Sequence, residues 1–241
     1  MPLKPYRSIP IRECGEALVA IPRGEIALAE PHPYMALGAP YGAEGPWMLR
    51  ESIVESLLKT QRRLQKLRPG WKILLTDAFR PNEVQVFGFN RELALQAKAM
   101  GLSPDNLSPS EHEKLIEKVC RVWAFPSDDP AMPPPHSTGA AFDCTLMDEN
   151  GREVDMGSPI DENSDRSMPD YFAAALDDVG KLAHAHRVLL NDVLLTEGFI
   201  RAPSEWWHFS RGDQLAVWIN REKEPEGVAI YGRVKVSLAA S

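Results

Sequence analysis

The stretch Trp71-Lys72-Ile73-Leu74-Leu75-Thr76-Asp77-Ala78-Phe79 constrains this chain more than any other. Successive side chains of a strand point to opposite faces, and here both faces are largely apolar. Such a strand belongs in the interior of a sheet covered on both sides. The cover is encoded nearby. Glu51 to Arg68 reads as an amphipathic helix, with Ile53, Leu57 and Leu64 at helical spacing and Val54 and Leu58 beside them. Pro69-Gly70 stops it. Beyond the strand come Arg80 and Pro81, which suits a helix start, and Val84 to Met100 continues as a helix closed by Gly101. Ser108-Pro109-Ser110-Glu111 is a capping box with proline at the first helical position, opening a helix that runs to about Trp123.

The remainder is less regular. Residues 1–50 are rich in proline and glycine, with Glu25 to Ala29 as a short strand candidate and Pro31 to Pro46 as loop. A Pro-rich loop from Ser127 to Pro135 lands on His136, and Ala140 to Met147 is a strand. Asn150-Gly151 favours a hairpin turn, with Arg152 to Met156 returning. Leu176, Val179, Ala183, His186, Leu190 and Val193 mark one face of a long helix ended by Gly198. Phe199–Arg201 and Trp206–Phe209 are strand candidates, and a late strand pair is expected at about Ala216–Ile219 and Val228–Val236. With no repeat and no evident linker, residues 1–241 read as one α+β domain with a central sheet flanked by helices.

The totals exclude several classes. A net charge of −7 without any basic run argues against a nucleic-acid binder. No apolar run approaches transmembrane length, and the first residues lack the apolar core of a signal peptide. A cytoplasmic protein is therefore expected. Cys14, Cys120 and Cys144 are too few and too scattered for a disulfide framework and read as free buried thiols.

Chemistry is concentrated in two short stretches. Pro135-His136-Ser137-Thr138-Gly139-Ala140-Ala141-Phe142-Asp143 offers an imidazole and a carboxylate seven residues apart, and Glu205-Trp206-Trp207-His208 offers another pair three apart. Hydrolytic zinc sites commonly use three protein ligands and leave a fourth position open. His136, Asp143 and His208 would be such a set, holding one zinc ion per chain. Positions seven apart on an unbroken strand face opposite ways, so a bend at Gly139 is needed for His136 and Asp143 to converge. Glu205 would then serve as general base, its pKa raised by Trp206 and Trp207. Each pairing alone also fits a bland alternative: an aromatic-faced strand with an exposed Glu205 and a core His208. Arg80 stands where a fixed cation could stabilise an oxyanion, although most arginines make surface ion pairs. His184 and His186 point apart on a helix, so His186 reads as core and His184 as solvated. His32 and His112 read as surface residues.

Four blocks together resemble the bacterial D-alanyl-D-alanine dipeptidases, the family that includes the vancomycin-resistance dipeptidase. That family is similar to D,D-carboxypeptidases and to the hedgehog signalling domain. The blocks are Asp77-Ala78-Phe79-Arg80-Pro81, the run from His136 to Leu146, Met156-Gly157-Ser158-Pro159-Ile160-Asp161, and Glu205-Trp206-Trp207-His208. The resemblance covers about residues 50 to 210. It implies a mainly antiparallel sheet, zinc on His136, Asp143 and His208, catalysis by Glu205, and Arg80 steadying the transition state. It also implies that Asp161 holds the free ammonium of a small dipeptide, which a metal-bound water then attacks. Where some members carry a serine two positions before the first ligand, this chain has Pro134. The first 50 residues match poorly, although they should form part of the pocket wall. Two other readings remain at this point: a D,D-carboxypeptidase acting on longer peptidoglycan peptides, and a zinc-binding module without catalysis.

Overall fold

The doubly apolar strand is interior to a five-stranded sheet, ordered β2 (Ala27–Leu28), β4 (Lys72–Asp77), β5 (Ala141–Met147), β7 (His208–Ser210), β6 (Ile200–Arg201). Only β2 and β4 run parallel, so the sheet is mainly antiparallel. A separate antiparallel pair joins β1 (Leu18–Ala20) to β3 (Met48–Arg50). The computed structural model describes residues 4–42, 45–103 and 106–234.

The covering helices form where the local signals put them. Helix α2 (Glu51–Leu67) buries Ile53, Val54, Leu57 and Leu64 and packs on β4. Helix α3 (Asn82–Ala99) has Pro81 as its N-cap, and α4 (Pro109–Val119) carries the full Ser108–Glu111 capping box. Gly88 of α3 lies against the indole of Trp123, where an added Cβ would come within 2.3 Å of the ring. The glycine therefore lets the Trp123 ring lie directly against α3. Helix α4 stops at Val119, earlier than expected, and Trp123 follows it in a turn.

The sheet register explains the site. Leu75 of β4 stands opposite Cys144 of β5, but a bulge follows, and Asp77 rather than Thr76 stands opposite Asp143. Asp143 in turn faces His208 on β7. The extra residue thus aligns Asp77, Asp143 and His208 as one row across three strands. Directly opposed residues keep their Cβ atoms about 5 Å apart.

Several expectations need correction. Residues 214–219 form helix α6 (Gln214–Ile219) instead of a strand, because the Asp213 carboxylate accepts from the backbone N–H of Ala216 as an N-cap. Its supposed partner makes one bridge, Ile11 to Ala229, and residues 235–236 of that expected strand lie outside the described residues. The return strand after Asn150-Gly151 is reduced to a bridge at Glu153. The proline-rich tract after Glu30 contains a single helical turn, α1 (Pro33–Ala36). Helix α5 (Asp178–Leu195) exists, but its buried face is Gly180, Ala183, Arg187, Leu190, Val193 and Leu194. Leu176 and Val179 are solvent-exposed, and His186 is only half-buried, donating from Nδ1 to the carbonyl of Asp155. His184, expected in solvent, is half-buried too. Of the thiols, only Cys144 is fully buried; Cys14 is exposed.

Candidate functional site

Pro135–Thr138 form a 3-10 turn that delivers His136, and Gly139 ends it in the left-handed region at φ +69°. An L side chain there would be strained, and its Cβ would meet Leu18 at 2.4 Å. The reversal sends the chain into β5 with Asp143 turned toward His136, so the break at Gly139 does bring the two residues to one side. His136 and His208 meet with His136 Nε2 3.1 Å from His208 Nδ1. Asp143 Oδ1 lies 2.9 Å from His208 Nδ1, and Asp143 Oδ2 lies 3.4 Å from His136 Nε2. All three residues are buried, and their ligand atoms lie within 4.8 Å of one another. His136 Nδ1 donates to the carbonyl of Ala78 at 2.8 Å, which leaves the Nε2 lone pair facing the cluster.

The donor chemistry fits a cation. Three lone-pair atoms crowded together in a buried site repel one another unless a proton or a metal ion sits among them. Burial opposes charging of His208, yet the hydrogen bond and charge of Asp143 raise its pKa above the ordinary value. Asp143, despite its burial, is held well below the usual carboxylate range by His136 and His208. Two imidazoles and a carboxylate are a ligand set suited to zinc, by ligand type and number.

A cavity of about 230 Å³ opens on the cluster and is lined also by Arg80, Asp161 and Glu205. Glu205 lies in the turn between β6 and β7, where Ala202 N–H donates to His208 O and Trp206 N–H donates to Ser167 O. Burial raises its pKa. The cavity wall includes Tyr6, Pro203, Leu215 and Trp218, however, while the indoles of Trp206 and Trp207 belong to the main core. The cover on Glu205 expected from those two indoles is thus supplied by other residues.

Arg80 is buried and held from several sides while still lining the cavity. Its Nε donates to Asp77 at 2.8 Å and one terminal nitrogen donates to Gln85 Oε1 at 3.0 Å. The other terminal nitrogen lies 2.6 Å from Asp77 Oδ2 and 3.5 Å from Asp143 Oδ2. The rings of Tyr34 and Trp123 stack on the guanidinium at 4.9 and 4.8 Å. A surface ion pair is therefore the wrong description of Arg80.

Asp161 takes φ +64°, the one non-glycine residue in the left-handed region among the described residues. Its carboxylate accepts from Tyr34 Oη at 2.6 Å. Burial, with the charge of Asp143 second, pushes its pKa up to about 6. The loop that carries it is pinned by Arg187, which donates to the carbonyls of Met156, Arg166 and Met168 and to Ser158 Oγ. Sequence reading missed Arg187, which occupied a position next to one assigned to the apolar face. It also missed Tyr34 and His32. His32 was expected at the surface but is 2% exposed, with Nε2 3.1 Å from Asp77 Oδ1. His112 is exposed, as expected.

Convergent imidazoles and carboxylate beside a separate buried carboxylate make this a site of the metallopeptidase class. Residues 27–224 match the model of the D-ala-D-ala dipeptidase family of M15 peptidases, and the chain belongs to that family. It is 40% identical to a D-alanyl-D-alanine dipeptidase of Synechocystis sp. over 97% of this chain and 98% of that one. A D-alanyl-D-alanine dipeptidase of Escherichia coli (strain K12) is 43% identical over 74 residues, 31% of this chain and 36% of the other. A solved LD-carboxypeptidase structure aligns with a TM-score of 0.46 at 16% identity, covering 90% of this chain and 80% of the other. Among the described residues no helix is long and apolar enough to cross a membrane.

Proposed function

We propose that this protein is a zinc-dependent dipeptidase that hydrolyses D-alanyl-D-alanine or a similar free dipeptide. The observation that carries the reading is that one small cavity is lined at once by His136, Asp143, His208, Glu205, Arg80 and Asp161. His136, Asp143 and His208 would hold one zinc ion, which when bound supplies Lewis acidity to the scissile carbonyl and acidifies water. Glu205 takes the proton of the attacking water and passes it to the leaving amine; its raised pKa suits both acts. Arg80, its guanidinium locked between Asp77 and two aromatic rings, steadies the negative charge that develops on the carbonyl oxygen. Asp161 receives the substrate's free ammonium, the feature that separates a dipeptide from the end of a longer peptide.

A cavity of about 230 Å³ is below the size that takes drug-like ligands and suits a dipeptide with methyl side chains. Lys4, Pro5 and Tyr6 wall it, which supports a closed site over a groove for long peptidoglycan peptides. The family is one of peptidases, which sets aside the non-catalytic alternative. Three unpaired cysteines support a cytoplasmic setting, in turnover of peptidoglycan precursors or recovery of D-alanine in a bacterium.

The test is an assay of purified protein against D,D-, L,D- and L,L-dialanine and an N-acetylated D,D-dipeptide, before and after chelation. Chelator-sensitive cleavage of the free D,D-dipeptide, restored by zinc, is expected. Equal cleavage of the blocked dipeptide would remove the role of Asp161, and chelator-resistant turnover would remove that of the metal.

A further inference from the structure

His32 sits at a junction that none of the four sequence blocks includes. Its two ring nitrogens do different work. Nδ1 accepts from the backbone N–H groups of Tyr34 and Met35, at 3.2 and 3.4 Å, and so caps α1. An acceptor Nδ1 carries no proton, so the ring's hydrogen is on Nε2, which donates to Asp77 Oδ1 at 3.1 Å. Asp77 accepts there from Tyr41 Oη as well, and with its other oxygen from Arg80. The capped turn carries Tyr34, whose hydroxyl donates to Asp161 and lies 3.4 Å from an Arg80 nitrogen. The ring is 2% exposed and packed by Tyr41 and Trp47, at centroid distances of 5.2 and 4.7 Å. One imidazole thus touches both the support of the guanidinium and the support of the ammonium-binding carboxylate.

We propose that His32 is a positioning residue for both ends of the substrate: through Nε2 and Asp77 it fixes Arg80, and through Nδ1 and α1 it fixes Tyr34 against Asp161. The inference rests on the dipeptidase reading above for what Arg80 and Asp161 do. The division of labour follows from the chemistry. Loss of the Nε2 bond leaves Asp77 short of a buried donor and frees the Asp77–Arg80 pair to shift, which affects the transition state. Loss of the Nδ1 cap loosens α1 and Tyr34, which affects capture of the ammonium.

Two substitutions separate the roles, because each amide imitates one nitrogen. His32→Asn keeps a short-armed cap acceptor and cannot reach Asp77. His32→Gln keeps a donor at the Nε2 position and loses the cap. With zinc-loaded enzyme and D-alanyl-D-alanine, His32→Asn should lower kcat about tenfold or more with KM within about threefold of wild type. His32→Gln should raise KM by about threefold or more with kcat within about threefold. Zinc content should match wild type in both. The same KM and kcat pattern in both variants, tracking an equal fall in Tm, would make His32 merely structural and overturn the proposal. So would unchanged kinetics in both.

Nitrogen-15 imidazole spectra of the wild-type protein give a readout that needs neither turnover nor a variant. A His32 ring protonated on Nε2 and bare on Nδ1 is expected; a ring protonated on Nδ1 would overturn the inference. If wild-type protein cleaves no dipeptide while His32 shows the expected tautomer, it is the dipeptidase reading that falls, and with it the kinetic roles given to His32.

Discussion

The two ends of the cavity are built differently. At one end Asp143 and His208 sit opposite each other on paired strands, and His136 enters from a tight turn closed by Gly139. Backbone ladders hold that end. At the other end Asp161 and Tyr34 come from segments that belong to no sheet, and side-chain bonds hold them: Tyr34 to Asp161, His32 Nδ1 to the backbone N–H groups of Tyr34 and Met35, Arg187 to three carbonyls. A ladder fixes a side chain through the fold as a whole, whereas a tether fixes it through one or two contacts that a single substitution removes. The sheet end should therefore respond to mutation by losing the metal or the chemistry, and the tethered end by losing substrate affinity.

His208→Ala tests the sheet end most severely. Turnover should vanish and zinc content should fall well below one per chain, as measured by elemental analysis; full zinc occupancy in that variant would take His208 out of the ligand set. Glu205→Ala should keep the zinc and lower kcat by roughly 10²- to 10⁴-fold, the usual contribution of a positioned acid/base. Zinc loss there would instead make Glu205 a ligand. Arg80→Lys keeps the charge but not the planar fork that both Asp77 and the stacked rings engage, and kcat should fall on the order of 10²-fold with KM little changed.

The tethered end is predicted to give the smaller effects. Asp161→Asn should raise KM roughly ten- to hundredfold and leave kcat near wild type, in line with loss of one charged hydrogen bond. A fall in kcat as large as that of the Glu205 variant would erase the contrast between the ends. pH gives the mildest test. The Asp161 carboxyl is raised from the ordinary range to about 6, so it is neutral below that pH and charged above it. KM for a free dipeptide should fall as pH rises through about 6, and in Asp161→Asn that dependence should flatten. The same group acts oppositely on stability. The folded state holds its proton where the unfolded state has lost it, so the stabilisation from Asp161 is present at low pH and is lost as pH rises through about 6.

The same contrast governs what could be read in the sequence. The strand from Lys72 to Asp77, the helices on either side and the turn at Gly139 follow from local periodicity and capping, and the turn brings His136 and Asp143 to one side. His208 joins them through the long-range pairing of β5 with β7, which only the family resemblance foreshadowed. His32 was misplaced because its partner lies 45 residues away, with no spacing to signal it. Arg187 was missed because a charged residue inside an apolar helix face reads as a break in the pattern, while its burial depends on carbonyls of a distant loop. Residues 214–219 misled for the opposite reason: a short apolar run fits strand or helix alike, and the deciding cap, Asp213, precedes it. The bulge in β4 that lines Asp77 up with Asp143 had no sequence mark at all.

The stitching of residues 229–234 has a consequence for how the site comes into being. Ala229 and Ile230 accept from Arg12 and Cys14, Gly232 is bonded by Arg50 and Glu13, and Val234 N–H donates to Ser137 O, beside His136. A chain emerging from the ribosome has made every candidate ligand and the base by residue 208, yet the turn that aims His136 lacks this last tie until residue 234 is free. The cavity's first wall, near Tyr6, likewise waits for Gln214 to bind the carbonyl of Ile9. A nascent or truncated chain can thus hold all the candidate site residues without a finished pocket.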